Sequence, residues 1–407
     1  MEYRKIGDII ELHRGYDLPV EQMEKGDVPV VGSNGVVGYH NQEKSISPTV
    51  TIGRSGSIGK VHFYDGYTWV HNTALYVSDF KGNDPLYIFY VLKNLDFENL
   101  KSSSVVPSLN RNYVYPMKVP FHEKSTDQEK ISKTLYAIDQ KIALNTRLNA
   151  ELEAMAKQLY DYWFVQFDFP FDFAQGKPDK NGKPYKSSGG KMVWNEKLKR
   201  EIPEGWEVKH ISDLIKNKKS GDWGQDEMKG AYTLRVNCIR GADFKNPTNA
   251  PQRYINSKNI NRLLEEDDII VEISGGSPVQ ATGRSVYVSK GLLDSYGDNL
   301  TCSNFCQALT YSDKTIAPYF FYMWNMFYDN NIMFNYEGKT SGIKNLLIDM
   351  FLSNYWYLPD TSLMRDFATI IKSAFSQKDS NVKEINHLTH LRDSLLPMLM
   401  NGQVTIE

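Results

Sequence analysis

Three cysteines in 407 residues are too few for a disulfide framework. Cys238, Cys302 and Cys306 form the odd, sparse set expected of reduced thiols. Cys302-x-x-x-Cys306 has the look of half a metal site, but no Cys or His pair at ligand spacing completes it, so all three are expected as small buried hydrophobes. No apolar run approaches the ~20 residues needed to span a bilayer, and the opening Met1-Glu-Tyr-Arg-Lys-Ile6 has no signal-peptide core behind its charges. A cytoplasmic protein with no membrane partner is expected. Also lacking is a surplus of positive charge, the net being −2. A protein that grips DNA alone usually carries such a surplus, because Lys and Arg contacts to phosphate supply most of the affinity. Near-neutrality leaves either no DNA binding or small basic patches helped by a partner, and composition does not choose.

Catalytic signatures are missing as well. No Asp/Asn-Pro-Pro-Tyr/Phe tetrapeptide is present to hold a flipped adenine; Asn83-Asp-Pro-Leu-Tyr87 comes near, but Leu86 stands where the second Pro is needed. No glycine-rich cofactor fingerprint follows a strand, and the eight His show no nuclease or zinc spacing. Gly53-Arg-Ser-Gly-Ser-Ile-Gly-Lys60 is glycine-rich, yet Val61 follows Lys60 where a phosphate loop needs Ser or Thr. A non-enzyme with no cofactor of its own is expected.

What is present is a globular composition, 41% hydrophobic and 24% charged, in a chain long enough for two or three domains. It is also a large unit written twice. After Pro120, Ser125 with Gln128 and Thr126 with Glu129 form overlapping capping boxes that mark a helix start. From there Ile131, Leu135, Ile138, Ile142, Asn145, Asn149, Leu152, Ala156 and Leu159 recur at alternating steps of four and three, a heptad seam. With no Pro or Gly before Phe169, the helix is expected to run roughly 55–65 Å. After Pro359 the design repeats in Phe367, Ile371, Ala374, Lys378, Asn381, Ile385, Leu388, Arg392 and Leu395. Lys378 and Arg392 break the apolar pattern. Pro397 is expected to kink or end this helix, with Asn401-Gly402 as its stop.

Each helix follows a segment rich in Gly, Tyr, Val, Ile and Asn with short β-like runs, such as Thr49–Ile52, Ala74–Val77, Asp268–Val271 and Ser285–Val288. The two segments open alike, Lys5-Ile-Gly-Asp-Ile-Ile10 against His210-Ile-Ser-Asp-Leu-Ile215. The chain thus reads globule, long helix, globule, long helix. Antiparallel packing of the helices would hold the globules apart about an approximate two-fold axis. Asn145, Asn149 and Asn381 would then fix register inside the seam, or else sit at frayed, exposed positions.

The joints carry a specific resemblance. Leu152-Glu-Ala-Met-Ala-Lys-Gln-Leu-Tyr-Asp-Tyr-Trp-Phe-Val-Gln-Phe-Asp-Phe169, Gly182-Lys-Pro-Tyr-Lys-Ser-Ser-Gly-Gly-Lys191, Ile202-Pro-Glu-Gly-Trp-Glu-Val208 and Leu391-Arg-Asp-Ser-Leu-Leu-Pro-Met-Leu-Met-Asn-Gly402 resemble specificity subunits of type I restriction–modification systems. The resemblance implies an α/β (α+β) fold of two target recognition domains, at residues 1–122 and 202–360. A pair of long antiparallel coiled-coil helices, at 123–168 and 361–402, separates them with pseudo-two-fold symmetry, and 169–201 is a linker. It further implies double-stranded DNA, two modification (methyltransferase) subunits and restriction/translocase subunits as partners. S-adenosylmethionine, ATP and Mg belong to those partner subunits. The rival readings are a coiled-coil adaptor that never meets DNA, a fused methyltransferase or nuclease with degenerate motifs, and a stand-alone specificity protein.

For base reading, Arg or Lys suits guanine and Asn or Gln suits adenine. Candidates in the first globule are Arg14, Arg54, Lys60, Asn110 and Arg111; in the second they are Lys218, Lys219, Arg235, Arg240, Arg284, Lys339 and Lys344. An ordinary solvated charge is the competing explanation for each, and phosphate contacts should outnumber base contacts. The Lys-rich stretch Lys177–Arg200 is expected to be a solvated connector, with a phosphate-facing strip as the alternative. The aromatics before it (Tyr160, Tyr162, Trp163, Phe164, Phe167, Phe169, Phe171 and Phe173) are too dense for a free loop and should pack.

Overall fold

The computed structural model describes residues 2–97, 108–275, 277, 279–340 and 343–406. The chain divides into two compact units, one of Met1–Asn145 with Glu384–Glu407 and one of Thr146–Lys383. Each unit holds a mixed α/β globule together with parts of both long helices.

In the first unit, strands Glu11–Arg14, Ala74–Asp79, Thr49–Gly53 and Val61–Tyr64 form an antiparallel sheet in that order. A second sheet sets Val28–Gly32 between Gly35–His40, antiparallel, and Trp69–Val70, parallel. Glu2–Lys5 pairs with Lys118–Phe121 and closes the globule beside the helix start. Helix Pro85–Lys93 is capped by Asp84, whose carboxylate accepts from Tyr87 N (2.6 Å), and Tyr87–Leu92 are all buried. Such all-round apolarity belongs to a helix inside the core. Ile131 and Leu135 of the first long helix join that core, as do Leu396, Leu399 and Met400 of the second.

The second unit repeats this wiring. Ile215–Ser220, Cys306–Tyr311, Ile269–Glu272 and Ser285–Tyr287 form the four-stranded antiparallel sheet. Tyr232–Ile239 lies between Gln252–Asn256, antiparallel, and Leu300–Cys302, parallel. Glu207–His210 pairs with Tyr355–Leu358 as the closing ribbon. Strand for strand, order and direction match the first unit. Ser274–Gly275, Ile343–Leu346 and Glu337–Thr340 form a further three-stranded sheet; in the first unit, among the described residues, a single antiparallel bridge between Ser55 and Ser108 stands in the place of its Ser274–Asn345 pair. Cys238, Cys302 and Cys306 are buried, and burial pushes all three thiols up from their usual range.

The first long helix runs Ser125–Tyr160, 36 residues or about 54 Å. It begins where the capping boxes stand, but Gln128 does another job. Buried, it donates to Asn83 Oδ1 (3.0 Å) and His122 O (2.7 Å) and accepts from Asp84 N (2.9 Å), tying the helix start to the globule. The helix stops short of Phe169 through one wider π turn, Asp161–Val165, followed by Phe167 at φ 66°. This turn aims Trp163, Phe164, Phe167 and Phe169 into the core of the second unit, against Trp206, Tyr319, Tyr357 and Phe367. The second long helix runs Thr361–Met400 with Pro397 inside it and gives way to Gly402 at φ 66°. The helix was expected to kink or end at Pro397 with Asn401-Gly402 as its stop; it stops at Asn401-Gly402, but does not end at Pro397. Instead buried Leu396, Leu399 and Met400 hold the last turn in place, which offsets the one backbone hydrogen bond that proline removes.

The seam positions Ile131, Leu135, Asn145, Phe367, Ile371 and Asn381 are buried, and Ile138, Ile142, Leu152, Leu159, Ile385, Leu388 and Leu395 are half-buried. Within the first unit, Asn145 Nδ2 donates to Glu384 Oε2 (2.7 Å), and Asp139 accepts from Arg392 (2.8 Å). Within the second, Asn381 Nδ2 donates to Asn149 Oδ1 (2.8 Å), and Lys378 pairs with Glu153 (3.0 Å). Both sets pair earlier residues of one helix with later residues of the other, an antiparallel register. Lys378 and Arg392, which interrupt the heptad, thus reach carboxylates on the facing helix. Residues 177–200 are not a loose connector: Pro170–Asp172, Lys177–Pro178 and Lys183–Pro184 make a small sheet, and Met192–Asn195 pairs with Arg200–Pro203. Two of its cations lie over aromatic rings, Lys197 over Tyr355 (4.5 Å) and Arg200 over Phe167 (4.9 Å).

Candidate nucleic-acid interface

In the first unit, the end of strand Glu11–Arg14 and the turn after Thr49–Gly53 flank one strand, Ala74–Asp79, so Arg14 and Arg54 come to the same end of the sheet. The turn is tight. Gly53 N donates to Lys60 O (2.7 Å) and Gly59 N to Gly53 O (2.8 Å). A Cβ at Gly53 would fall 1.9 Å from Ser57 O, and Gly59 sits at φ +79° against Phe97, so side chains fit at neither place. Leu109 N donates to Arg54 O (2.8 Å) and brings the start of helix Arg111–Val114 alongside.

These elements enclose a cleft of about 290 Å³ lined by His13, Arg14, Arg54, Leu75, Ser108, Leu109, Asn110 and Arg111. Four of the five cationic or amide side chains singled out in this globule meet here. Arg54 Nη1 reaches Asn72 O (3.4 Å) and Arg111 Nη1 donates to Leu12 O (2.7 Å), so each guanidinium is held by a neutral carbonyl. Among the described residues no carboxylate pairs with Arg14, Arg54 or Arg111, and none lines the cleft. Burial and the neighbouring charge of Arg14 lower the pKa of Arg54. Lys60 stands apart, donating to Asn34 Oδ1 (2.7 Å), and Asn110 turns its amide oxygen to Asn112 N (3.0 Å) as a helix cap. His13 was not anticipated. It precedes Arg14 and stacks on Tyr16, 5.6 Å between centroids, and nothing in its sequence surroundings marks it.

The second unit treats its cations differently. Lys219 is buried, donating to Asp268 (2.9 Å) and Glu265 (2.8 Å), and is a core cation rather than a surface reader. Arg284 makes a two-point pair with buried Glu272 (2.9 and 2.6 Å). Lys344 pairs with Glu337 (2.9 Å), Lys218 with Asp349, and Arg240 with Asp243 (3.7 Å) while lying over the Trp223 ring (5.2 Å). Arg235 is exposed on strand Tyr232–Ile239, with no ion pair among the described residues. Lys339 lies on strand Glu337–Thr340, and its side chain is outside the described part. The cations of this unit are therefore spread out and mostly neutralised.

Among the described residues no helix is long and apolar enough to cross a membrane. Residues 1–154 match the type I restriction modification DNA specificity domain. The type I restriction enzyme MjaIX specificity subunit of Methanocaldococcus jannaschii is 24% identical over 335 residues, covering 79% of this chain and 69% of that protein. The HindI specificity subunit of Haemophilus influenzae is 22% identical over 340 residues, 74% of this chain and 72% of that one. In fold, the chain is similar to the crystal structure of a type I restriction–modification S subunit from M. genitalium. The TM-score is 0.63 at 18% identity, over 98% of this chain and 96% of the other. Residues 1–154 thus carry a type I restriction modification DNA specificity domain, and along most of its length the chain is similar to type I restriction enzyme specificity subunits.

Proposed function

We propose that this chain reads an asymmetric, two-part DNA target for a type I restriction–modification complex and seats two modification subunits on its long helices. The observation that carries the reading is the arginine cleft, which falls inside the segment matching a DNA specificity domain and is lined by no carboxylate among the described residues. A repeated globule on each long helix supports two contact regions, because each copy can meet its own stretch of duplex. Their unlike surfaces support unlike half-sites, separated by an unread gap and spaced roughly one helical turn centre to centre, about 34–36 Å. Residues 1–122 and 202–360 would be the readers and the paired helices the spacer. Methyl transfer, with its S-adenosylmethionine, would belong to the modification subunits, and ATP-driven translocation and cleavage to restriction subunits.

Methylated-adenine mapping in cells with and without the gene tests this directly. The expected result is loss of methylation at one split motif. Replacing residues 1–120 by the corresponding globule of another member should change one half of that motif alone. Change in both halves would end the independent-reader model. A footprint of the assembled complex with no protected DNA would favour the adaptor reading instead, toward which the neutralised cations of the second unit lean.

A further inference from the structure

The repeat allows the cleft to be traced into the second unit position by position. Gly53 N donates to Lys60 O (2.7 Å) and Glu272 N to Arg284 O (2.9 Å); Arg54 N donates to Thr73 O and Ile273 N to Phe305 O (both 2.8 Å). Leu109 N donates to Arg54 O and Leu346 N to Ile273 O (both 2.8 Å). Sheet register extends the match, since Arg14 faces Leu75 one step from the Gly53–Ala74 pair and Ser220 faces Gln307 one step from the Glu272–Cys306 pair. Short helices follow at Arg111–Val114 and Ile348–Leu352. The three guanidiniums of the first unit thus have Ser220, Ile273 and Ile348 at their counterparts. The remaining cation of the turn, Lys60, corresponds to Arg284, which Glu272 neutralises from the position of Gly53.

The backbone frame is kept while every free positive charge is removed or paired. Three positive charges around one cleft, none paired with a carboxylate among the described residues, match a ligand group with a formal negative charge. A guanine edge is neutral and takes a single Arg, whereas a phosphodiester carries the charge the cleft lacks. We propose that Arg14, Arg54 and Arg111 form a seat for a DNA backbone phosphate that the second unit does not possess, so that the salt-dependent grip of the chain on DNA is concentrated in the first unit. The inference rests on the DNA-reading function proposed above.

The test is the affinity of the full chain, assembled with its modification subunits, for target and non-target duplexes across a potassium chloride series. Each phosphate contact contributes about 0.9 to the slope of log affinity against log salt. Replacing Arg14, Arg54 and Arg111 together by Ala should flatten the slope by about that amount on both duplexes, Arg14→Ala or Arg54→Ala alone by a share of it, and the preferred sequence should stay unchanged. Arg54→Lys, which keeps the charge in the half-buried position, should retain most of the slope and shows that folding is intact. Ile273→Thr at the matching position of the second unit should leave it unaltered. An unchanged slope with relaxed preference at one base pair would make the arginines base readers and overturn the phosphate seat. No change in either quantity would overturn it too. Failure of the wild-type complex to bind either duplex would instead bring down the DNA-reading function itself, and the seat with it.

Discussion

The two globules share one strand order and one set of turn hydrogen bonds, yet they place charge in opposite ways. In the first, three arginines line one cleft; Arg54 and Arg111 are held by backbone carbonyls, and among the described residues no carboxylate pairs with any of the three. In the second, five of the candidate cations are fastened to acids, and the positions equivalent to the three arginines hold Ser220, Ile273 and Ile348. A fold that spreads its turns over one end of a sheet can keep its frame through backbone hydrogen bonds, leaving the side chains at those turns free to differ. Loops on a rigid scaffold vary for this reason. The comparison teaches that having the same wiring does not mean having the same way of meeting a ligand.

The largest test of this contrast is at the shared turn. Glu272→Ala strips the two-point partner from Arg284, which is 25% exposed against 5% for the carboxylate, and urea unfolding should register a loss of about 2–3 kcal/mol. Lys60→Ala, at the position equivalent to Arg284, where only the Asn34 contact is lost, should stay within about 0.5 kcal/mol. Equal effects would mean the two turns are not electrostatically distinct.

Next in size is Asp139, which joins both helices to the first globule by accepting from Arg392 (2.8 Å), Tyr90 (2.8 Å) and Lys93 (3.2 Å). Burial pushes its pKa up, but the Arg392 hydrogen bond, the Lys93 charge and the Tyr90 hydroxyl outweigh this and hold it below the usual carboxylate range. A depressed carboxylate stabilises the fold above its unfolded pKa, about 3.9, and that contribution is lost as pH falls through the folded value. Asp139→Asn should therefore cost about 2 kcal/mol at neutral pH, with the gap to wild type closing below about pH 4. A constant gap across that range would show that charge is not its role.

The smallest effect is expected at Asn381, whose amide donates to Asn149 within the buried seam of the second unit. Asn381→Ala should lose about 1 kcal/mol by leaving Asn149 without this bond. Asn381→Leu should recover stability by apolar packing while losing uniqueness of pairing, read as broadened or doubled signals in methyl NMR spectra.

Much of this was legible in the order of residues. The heptad steps from Ile131 to Leu159 and from Phe367 to Leu395, the repeated openings at Lys5–Ile10 and His210–Ile215, and the dense aromatics after Tyr160 all lead to elements of the structure. Periodicity is a property of the chain itself, so one face of a helix can be seen before it folds. Other features were not legible, because they depend on what the chain brings near from far away. Gln128 looked like a capping residue until Asn83 and His122 arrived beside it. Pro397 looked like a stop until Leu399 and Met400 were given a core to fill. Lys219 looked like a surface charge until Asp268 reached it.

The sequence by itself determined the repeat, the two seams and the turn glycines, since spacing, apolar pattern and conformational freedom are local quantities. Only the tertiary structure decided which cations are free. That is settled by whether a carboxylate from another strand stands within about 4 Å, where the energy of a charge pair becomes large. No local pattern around Arg54 or Arg284 states that distance; the fold does, bringing Glu272 to Arg284 and, among the described residues, no carboxylate to Arg54.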